Sequence, residues 1–467
     1  MNGMRLLDAA MITGDALLHP INIGAVMILA PPRNSGEHFA DRLYHQTLAQ
    51  PVVVDRLFRR VPHRSPGTGG LWVWREERDL DVGRHLTRRT LPDGSGSAEL
   101  WQLIGTLHAQ RLDRSRPMWA AFLIDGLADG RLAFYVKAQH VMVDGVAGMR
   151  LIGSALSTDP DRRAMPPFYA ERDHPPATAG ARWDLSAPLR RLAGLAGSGI
   201  TALARIPESQ ACAALAMVTG RATVPAVGAP FTPFNTRLGP HRGVIAASWA
   251  KSRIRAVQEI TGTTAHDVAT AVVGGALRDW LSDHGDLPRR SLVAFCPISV
   301  RAHDPANNGA GNRFGAWLCP MGTDLADPLK RLRRVHRSMV GGKRYVARYG
   351  SAGSLSLAAP SIASTIVQAL VPAGPRISTG YNLPMSSVPG PGAEMYWNGA
   401  HVEEIYPVSA VFDGQTLNVT VCSYADRIGI GYVADSDVMP DIATMVSRTG
   451  RALSELESAV GAGPPRG

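Results

Sequence analysis

Residues 132–145, LAFYVKAQHVMVDG, hold the side chains whose types and spacing are best suited to chemistry: His140, and four residues on, the pair Asp144-Gly145. Imidazole is the one side chain whose ordinary pKa sits near neutrality, so a neutral histidine serves as a general base without costly deprotonation. The run from Leu132 to His140 has strand composition. Counting by two puts Leu132, Phe134, Val136, Ala138 and His140 on one face, and Tyr135, Lys137 and Gln139 on the other. A histidine at the rim of an apolar wall is partly desolvated, which disfavours imidazolium and keeps the ring basic. Gly145 is expected to permit a sharp turn into a helix beginning near Val146. Asp144 is expected to fix the loop by accepting backbone or arginine hydrogen bonds, with no need to touch the ring. A core histidine satisfied by a backbone carbonyl is the competing reading of the same pattern. So short a motif takes its weight from its company.

Other chemistries have little support. No G-x-S-x-G elbow and no H-E-x-x-H pair occurs. Cys212, Cys296, Cys319 and Cys422 are too far apart for a C-x-x-C unit and sit in apolar surroundings, as buried reduced thiols of a cytoplasmic protein do. No metal site is expected.

The elements that must position His140 divide the chain. Up to residue 156, strand candidates at Gly24–Leu29, Leu71–Trp74 and Leu132–His140 alternate with a helix from about Ala98 to Arg111, an α/β pattern. Residues 157–230 open with a proline- and charge-rich stretch that reads as a linker with connecting helices. Within it, Leu185, Leu189, Leu192 and Ala196 recur at helical spacing beside Arg190 and Arg191. That stripe suits a membrane surface or, given Gly194, Gly197 and Gly199, a helix packed between lobes. A second α/β lobe spans residues 231–460. It contains a helix at about Ala265–Ser282, a buried strand at Ser291–Val300, a helical run at Leu329–Met339 and a hairpin turning at Ala425-Asp426-Arg427. Residues 461–467 are expected to be a disordered tail.

Length and charge set outer bounds. At 467 residues two packed lobes are the default. The formal net charge of +10 is carried almost wholly by arginine, since only Lys137, Lys251, Lys330 and Lys343 are lysines. Guanidinium forks pair well with phosphate, although compositional drift explains the same bias. No basic run with interleaved aromatics points to nucleic acid. The N-terminus lacks the pattern of a signal peptide, and no apolar stretch is long enough to span a bilayer.

Several segments resemble, in order, the blocks of the bacterial wax ester synthase/diacylglycerol acyltransferase family. LDRSRPMW at Leu112–Trp119 looks like its LDRSRPLW block, and QHVMVDG at Gln139–Gly145 looks like HHxxxDG. GTTAHDV at Gly262–Val268 is similar to its GxTxND block. PISVR at Pro297–Arg301, GNRFG at Gly311–Gly315 and SSVPGP at Ser386–Pro391 continue the series, so the likeness runs from about Leu7 to Asp441.

The resemblance implies a two-lobed chloramphenicol acetyltransferase-like α/β fold, with mixed sheets flanked by helices and an active-site tunnel at the lobe interface. It implies an acyl-CoA-dependent O-acyltransferase esterifying a lipid alcohol, diacylglycerol before fatty alcohol, with long-chain acyl-CoA as cosubstrate and no cofactor. His140 would be the base and Asp144 its motif partner, supported by Gln139, Gly145, His266 and Asp267. Arg116, Trp119, Asn312, Ser387, Pro389 and Gly390 would lie along the substrate route, although Arg116 and Trp119 more often serve packing. The expected location is cytoplasmic, with peripheral contact with the inner membrane face or lipid inclusions left open, as is the oligomeric state. The chain departs from the family pattern at Gln139, where the first histidine of the doublet stands, at His266 for asparagine in the ND pair, and at Ser387 for the asparagine before VPGP. We expect His266 to face the tunnel near His140 and partly replace the missing polar group, or else simply to open a helix. The departures also motivate two rival readings: an impaired lipid-binding relative, and an acyltransferase acting on carrier-protein thioesters.

Overall fold

The computed structural model describes residues 2–4, 6–36, 38–172, 228–299, 314–370 and 380–462. Asn312, Cys212, the stripe from Leu185 to Ala196 and the last five residues lie outside the described residues. Two six-stranded mixed sheets carry the architecture. The first has the order Met395–Trp397, Ala400–Val408, Asn22–Ala30, Leu132–Gln139, Trp119–Leu127, Leu86–Ser95. The second runs Phe314–Pro320, Val293–Ser299, Leu383–Pro389, Leu417–Tyr424, Arg427–Asp435, Arg242–Ala250. A small third sheet joins Asn2–Gly3, Val73–Glu76 and Arg60–His63.

The strand before His140 lies inside the first sheet, paired antiparallel with Asn22–Ala30 on one side and Trp119–Leu127 on the other. Period-two alternation holds along it, but both faces are buried. Leu132, Phe134 and Ala138 join one apolar cluster, while Ala133 and Tyr135 join another that continues into the second lobe. Helix Ser97–Ala109 links the two lobes by packing on strand Arg242–Ala250 so closely that a Cβ on Gly105 would meet the Arg242 carbonyl.

Lys137, on the Tyr135 face, turns its ammonium to the carbonyls of Leu107 and Gln110, and Asn22 donates to those of His108 and Gln110, both at 3.0 Å. Together they satisfy orphan carbonyls at the end of that helix, where positive charge is also favoured. Burial pulls the Lys137 pKa down to about 8.

The sequence boundaries of the lobes are not the spatial ones. Met395–Val408, read as part of the second lobe, crosses over and pairs antiparallel with Asn22–Ala30 in the first sheet. Its inward residues Val402 and Ile405 complete the first-lobe cluster, a burial that local patterning cannot assign to one sheet or the other. The start of the expected linker is likewise folded, with Ser157 bridged to Tyr396 and Ala170 to Val54. The helical run expected at Leu329–Met339 is the first part of a longer element, Pro328–Leu370, interrupted at Gly350, whose φ of 66° breaks the helical geometry. The hairpin turn falls at Ala425-Asp426, because Arg427 already pairs with Tyr424. Among the described residues, no helix is long and apolar enough to cross a membrane.

Candidate active site

His140 stands one residue beyond the last residue of its strand, so the face alternation that holds through Gln139 no longer fixes its direction. Its position comes from the turn instead. His140 N donates to Ile21 O at 2.9 Å, extending the pairing by one residue, and Met142 N donates to Gln139 O at 2.9 Å to close the turn. Gln139 is buried and shapes the same turn, its Oε1 accepting from Val141 N at 2.6 Å. Gln139 therefore holds the peptide that follows His140.

The His140 ring sits in a recess: the residue keeps intermediate exposure, yet its Nδ1 is buried with no hydrogen-bond partner. Desolvation pushes its pKa below the ordinary imidazole value, opposed more weakly by its own backbone carbonyl and by the Asp144 carboxylate. A neutral ring at neutral pH follows.

Asp144 is the N-cap of helix Gly145–Ser154, its carboxylate accepting from Ala147 N at 2.7 Å. Its carboxylate is thus engaged in the cap, while its charge raises the His140 pKa against the larger effect of desolvation. Gly145 corrects the sequence reading: its φ is not among the positive ones, so no left-handed turn requires it. A Cβ there would make ordinary contact with Val388 Cγ2 of the second lobe at 3.4 Å, so space is limited only for larger side chains.

The second half of the site is strand Leu383–Pro389, part of the SSVPGP block. It pairs with Val293–Ser299 only at Leu383 and Pro384, but with Leu417–Tyr424 from Met385 to Pro389. Strands Val293–Ser299 and Leu383–Pro389 therefore splay, and among the described residues no strand pairs with that edge from Met385 onward. Helix Gly145–Ser154 of the first lobe packs against this strand. Gly390 follows the strand where a Cβ would meet the Ser423 carbonyl at 2.5 Å, so only glycine fits there. Ser387 and Pro389 are exposed.

His266 and Ser387, two of the departures from the family pattern, meet: Nδ1 of His266 is 2.7 Å from Ser387 Oγ. His266 Nε2 is buried without a partner, and desolvation lowers the ring's pKa, with Asp267 opposing and Lys343 assisting. Asp267 is buried and forms a capping box with Thr264, its Oδ2 accepting from Thr264 N at 2.9 Å. The same oxygen lies 2.8 Å from His336 Nδ1, a partner that sequence spacing could not have indicated.

Arg116 and Trp119 take structural positions. Arg116 pairs with Asp113 at 3.0 Å within its own turn. Trp119 is 1% exposed, stacks on His85 at 4.5 Å and donates to Phe58 O at 3.0 Å, which leaves no free ring face for a substrate. Both stand along the substrate route by resemblance; the burial of Trp119 gives it a packing role, while Arg116 keeps a half-exposed guanidinium. Sequence reading also missed a buried chain between the lobes: Tyr135 OH lies 2.7 Å from His108 Nδ1, and His108 Nε2 lies 3.2 Å from Ser409 O. Because the carbonyl can only accept, Nε2 carries the proton and Nδ1 accepts from the tyrosine. Cys296, Cys319 and Cys422 are buried free thiols, and among the described residues no group of His, Cys, Asp and Glu is placed to hold a metal ion.

Two α/β lobes around a splayed sheet, with a desolvated histidine at their junction, make up a two-lobed chloramphenicol acetyltransferase-like fold. The first condensation domain of the CDA synthetase shares this fold, with a TM-score of 0.57 over 99% of this chain and 96% of that one at 14% identity. More specifically, the chain belongs to the wax ester synthase/diacylglycerol acyltransferase family: the catalytic-domain model matches residues 4–269 and the C-terminal-domain model residues 310–457. The wax ester synthase/diacylglycerol acyltransferase from Marinobacter aquaeolei VT8 superposes with a TM-score of 0.78 at 28% identity, covering 99% of this chain and 100% of that one. A Mycobacterium tuberculosis H37Rv protein bearing the name diacyglycerol O-acyltransferase is 34% identical over 458 residues, 98% of this chain and all of the relative.

Proposed function

We propose that the chain transfers a long-chain acyl group from coenzyme A to the hydroxyl of a lipid alcohol, with diacylglycerol the first candidate acceptor and fatty alcohol the second. The observation that carries this reading is the recessed, desolvated His140 in a family whose members bear that activity in their names. Neutral His140 takes the hydroxyl proton as the oxygen attacks the thioester carbonyl. The tetrahedral intermediate then expels the CoA thiolate, which takes the proton back from His140, leaving ester, free CoA and the neutral ring.

Gln139 and Asp144 serve as positioning residues in this scheme, and Ser387, Pro389 and Gly390 border the substrate route. Asn312 remains assigned to that route by resemblance alone. Long-chain substrates partition into lipid, so the protein would work at the inner membrane face or on a lipid inclusion, where its net charge of +10 is attracted to anionic headgroups. The carrier-protein reading rests only on a shared fold, and the impaired-relative reading must contend with the retained His140.

The test is a purified-protein assay with long-chain acyl-CoA and competing diacylglycerol and fatty alcohol, following thiol release beside ester formation. His140→Ala should lose at least about a hundredfold, the usual scale for a removed base, and Gln139→Ala much less. Equal rates for wild type and His140→Ala would dismiss the mechanism.

A further inference from the structure

The departures at His266 and Ser387 lie on different elements, helix Ala265–Asp283 and strand Leu383–Pro389, 121 residues apart, yet they are bonded to each other. The two departures from the resembled pattern thus form one unit. Its proton arrangement follows from the cost of orphaned groups. His266 Nε2 is buried without a partner, and a buried N–H left unbonded is rarer and costlier than an unused lone pair. The ring proton therefore sits on Nδ1 and is donated to Ser387 Oγ. The serine's own proton is then free to point to the exposed side, strengthened as a donor by the bond its oxygen accepts.

The main chain adds a second donor. Successive amides of a strand alternate between its two edges, and Gly390 N donates to Ser423 O across the edge shared with Leu417–Tyr424. By that alternation Val388 turns its amide to the paired edge, and Ser387 turns its amide to the splayed edge, where no described strand pairs with it. Pro389, the next residue with that orientation, has no N–H. Ser387 alone among these neighbours offers a main-chain donor at the splayed edge together with a side-chain donor, its hydroxyl lying with His266 on the sheet face opposite the one where Val388 meets helix Gly145–Ser154.

We propose that Ser387, oriented by His266, is an oxyanion donor of this acyltransferase, its N–H and hydroxyl binding the thioester oxygen as negative charge develops on it. Preorganised donors of this kind act on the transition state more than on the bound substrate. The assignment rests on the acyl-CoA reading above. No covalent step at Ser387 is involved: the oxygen receives charge when the acceptor attacks and returns it when the thiolate leaves.

The test compares wild type, Ser387→Ala, Ser387→Thr, His266→Asn and the double variant His266→Asn/Ser387→Asn, which restores the family's two amides. Ser387→Ala should lower kcat about a hundredfold with KM for acyl-CoA little changed, Ser387→Thr should keep most of the rate, and the double variant should exceed Ser387→Ala. An S-alkyl-CoA, which lacks the carbonyl, should bind wild type and Ser387→Ala alike, a result that a merely structural role for the serine would not give. Wild-type kcat in Ser387→Ala, or a loss confined to KM, would overturn the proposal while leaving His140 untouched. Loss of the acyl-CoA reading itself would show separately, as indifference to His140→Ala.

Discussion

Val388 of the second sheet packs against Gly145 of the first lobe, where a Cβ on the glycine would lie 3.4 Å from Val388 Cγ2. That contact couples the two halves of the site. Gly145 opens the helix capped by Asp144, four residues after His140, and Val388 directly follows Ser387. The contact should therefore be sensitive to added volume. Gly145→Ala should be close to neutral, whereas Gly145→Val should destabilise by about 1–3 kcal/mol, the scale of overpacking, and lower activity by parting the lobes. Denaturant unfolding beside turnover measures both, and wild-type values for the valine variant would refute the coupling.

Asp144 provides a cap, and its role can be separated from its charge. Asp144→Asn keeps a good N-cap and should retain stability and most activity, while Asp144→Ala should lose about 0.5–2 kcal/mol and loosen the turn that holds His140. If Asn were as damaging as Ala, the carboxylate itself would be doing chemistry.

The pH dependence of kcat/KM should report the neutral ring of His140. Because desolvation holds its pKa below the ordinary 6.5, activity should rise with pH through a midpoint below that value and level off at neutrality. His266 also titrates low, so the limb should be compared with that of His266→Asn. An unmoved limb in that variant assigns it to His140. A limb that vanishes assigns it to His266 instead.

Stability should carry a separate pH signature from His108. Burial lowers its pKa from 6.5 to about 3, so between those values the unfolded chain binds a proton that the folded one does not. Stability from this group is therefore complete above pH 6.5 and falls as pH drops toward 3. Tyr135→Phe removes the donor to His108 Nδ1 and should cost about 1–3 kcal/mol. Thermal unfolding across this range, in wild type and in Tyr135→Phe, tests both expectations.

The sequence by itself determined the local features. Strand Leu132–Gln139, the cap at Asp144, the helix opened by Thr264 and Asp267, and the ordered blocks that identify the family are all written in neighbouring residues, whose spacing fixes backbone hydrogen bonds and faces. Tertiary structure alone decided what those features do together. Strand Ala400–Val408 crosses into the first sheet, His336 reaches Asp267 and His108 bridges Tyr135 to Ser409, because buried polar groups and apolar faces take whichever partner the packed chain brings near, however distant in sequence. The pairing of His266 with Ser387 is the clearest case: two substitutions that look like separate losses when read along the chain become one hydrogen-bonded unit once the helix is laid over the strand.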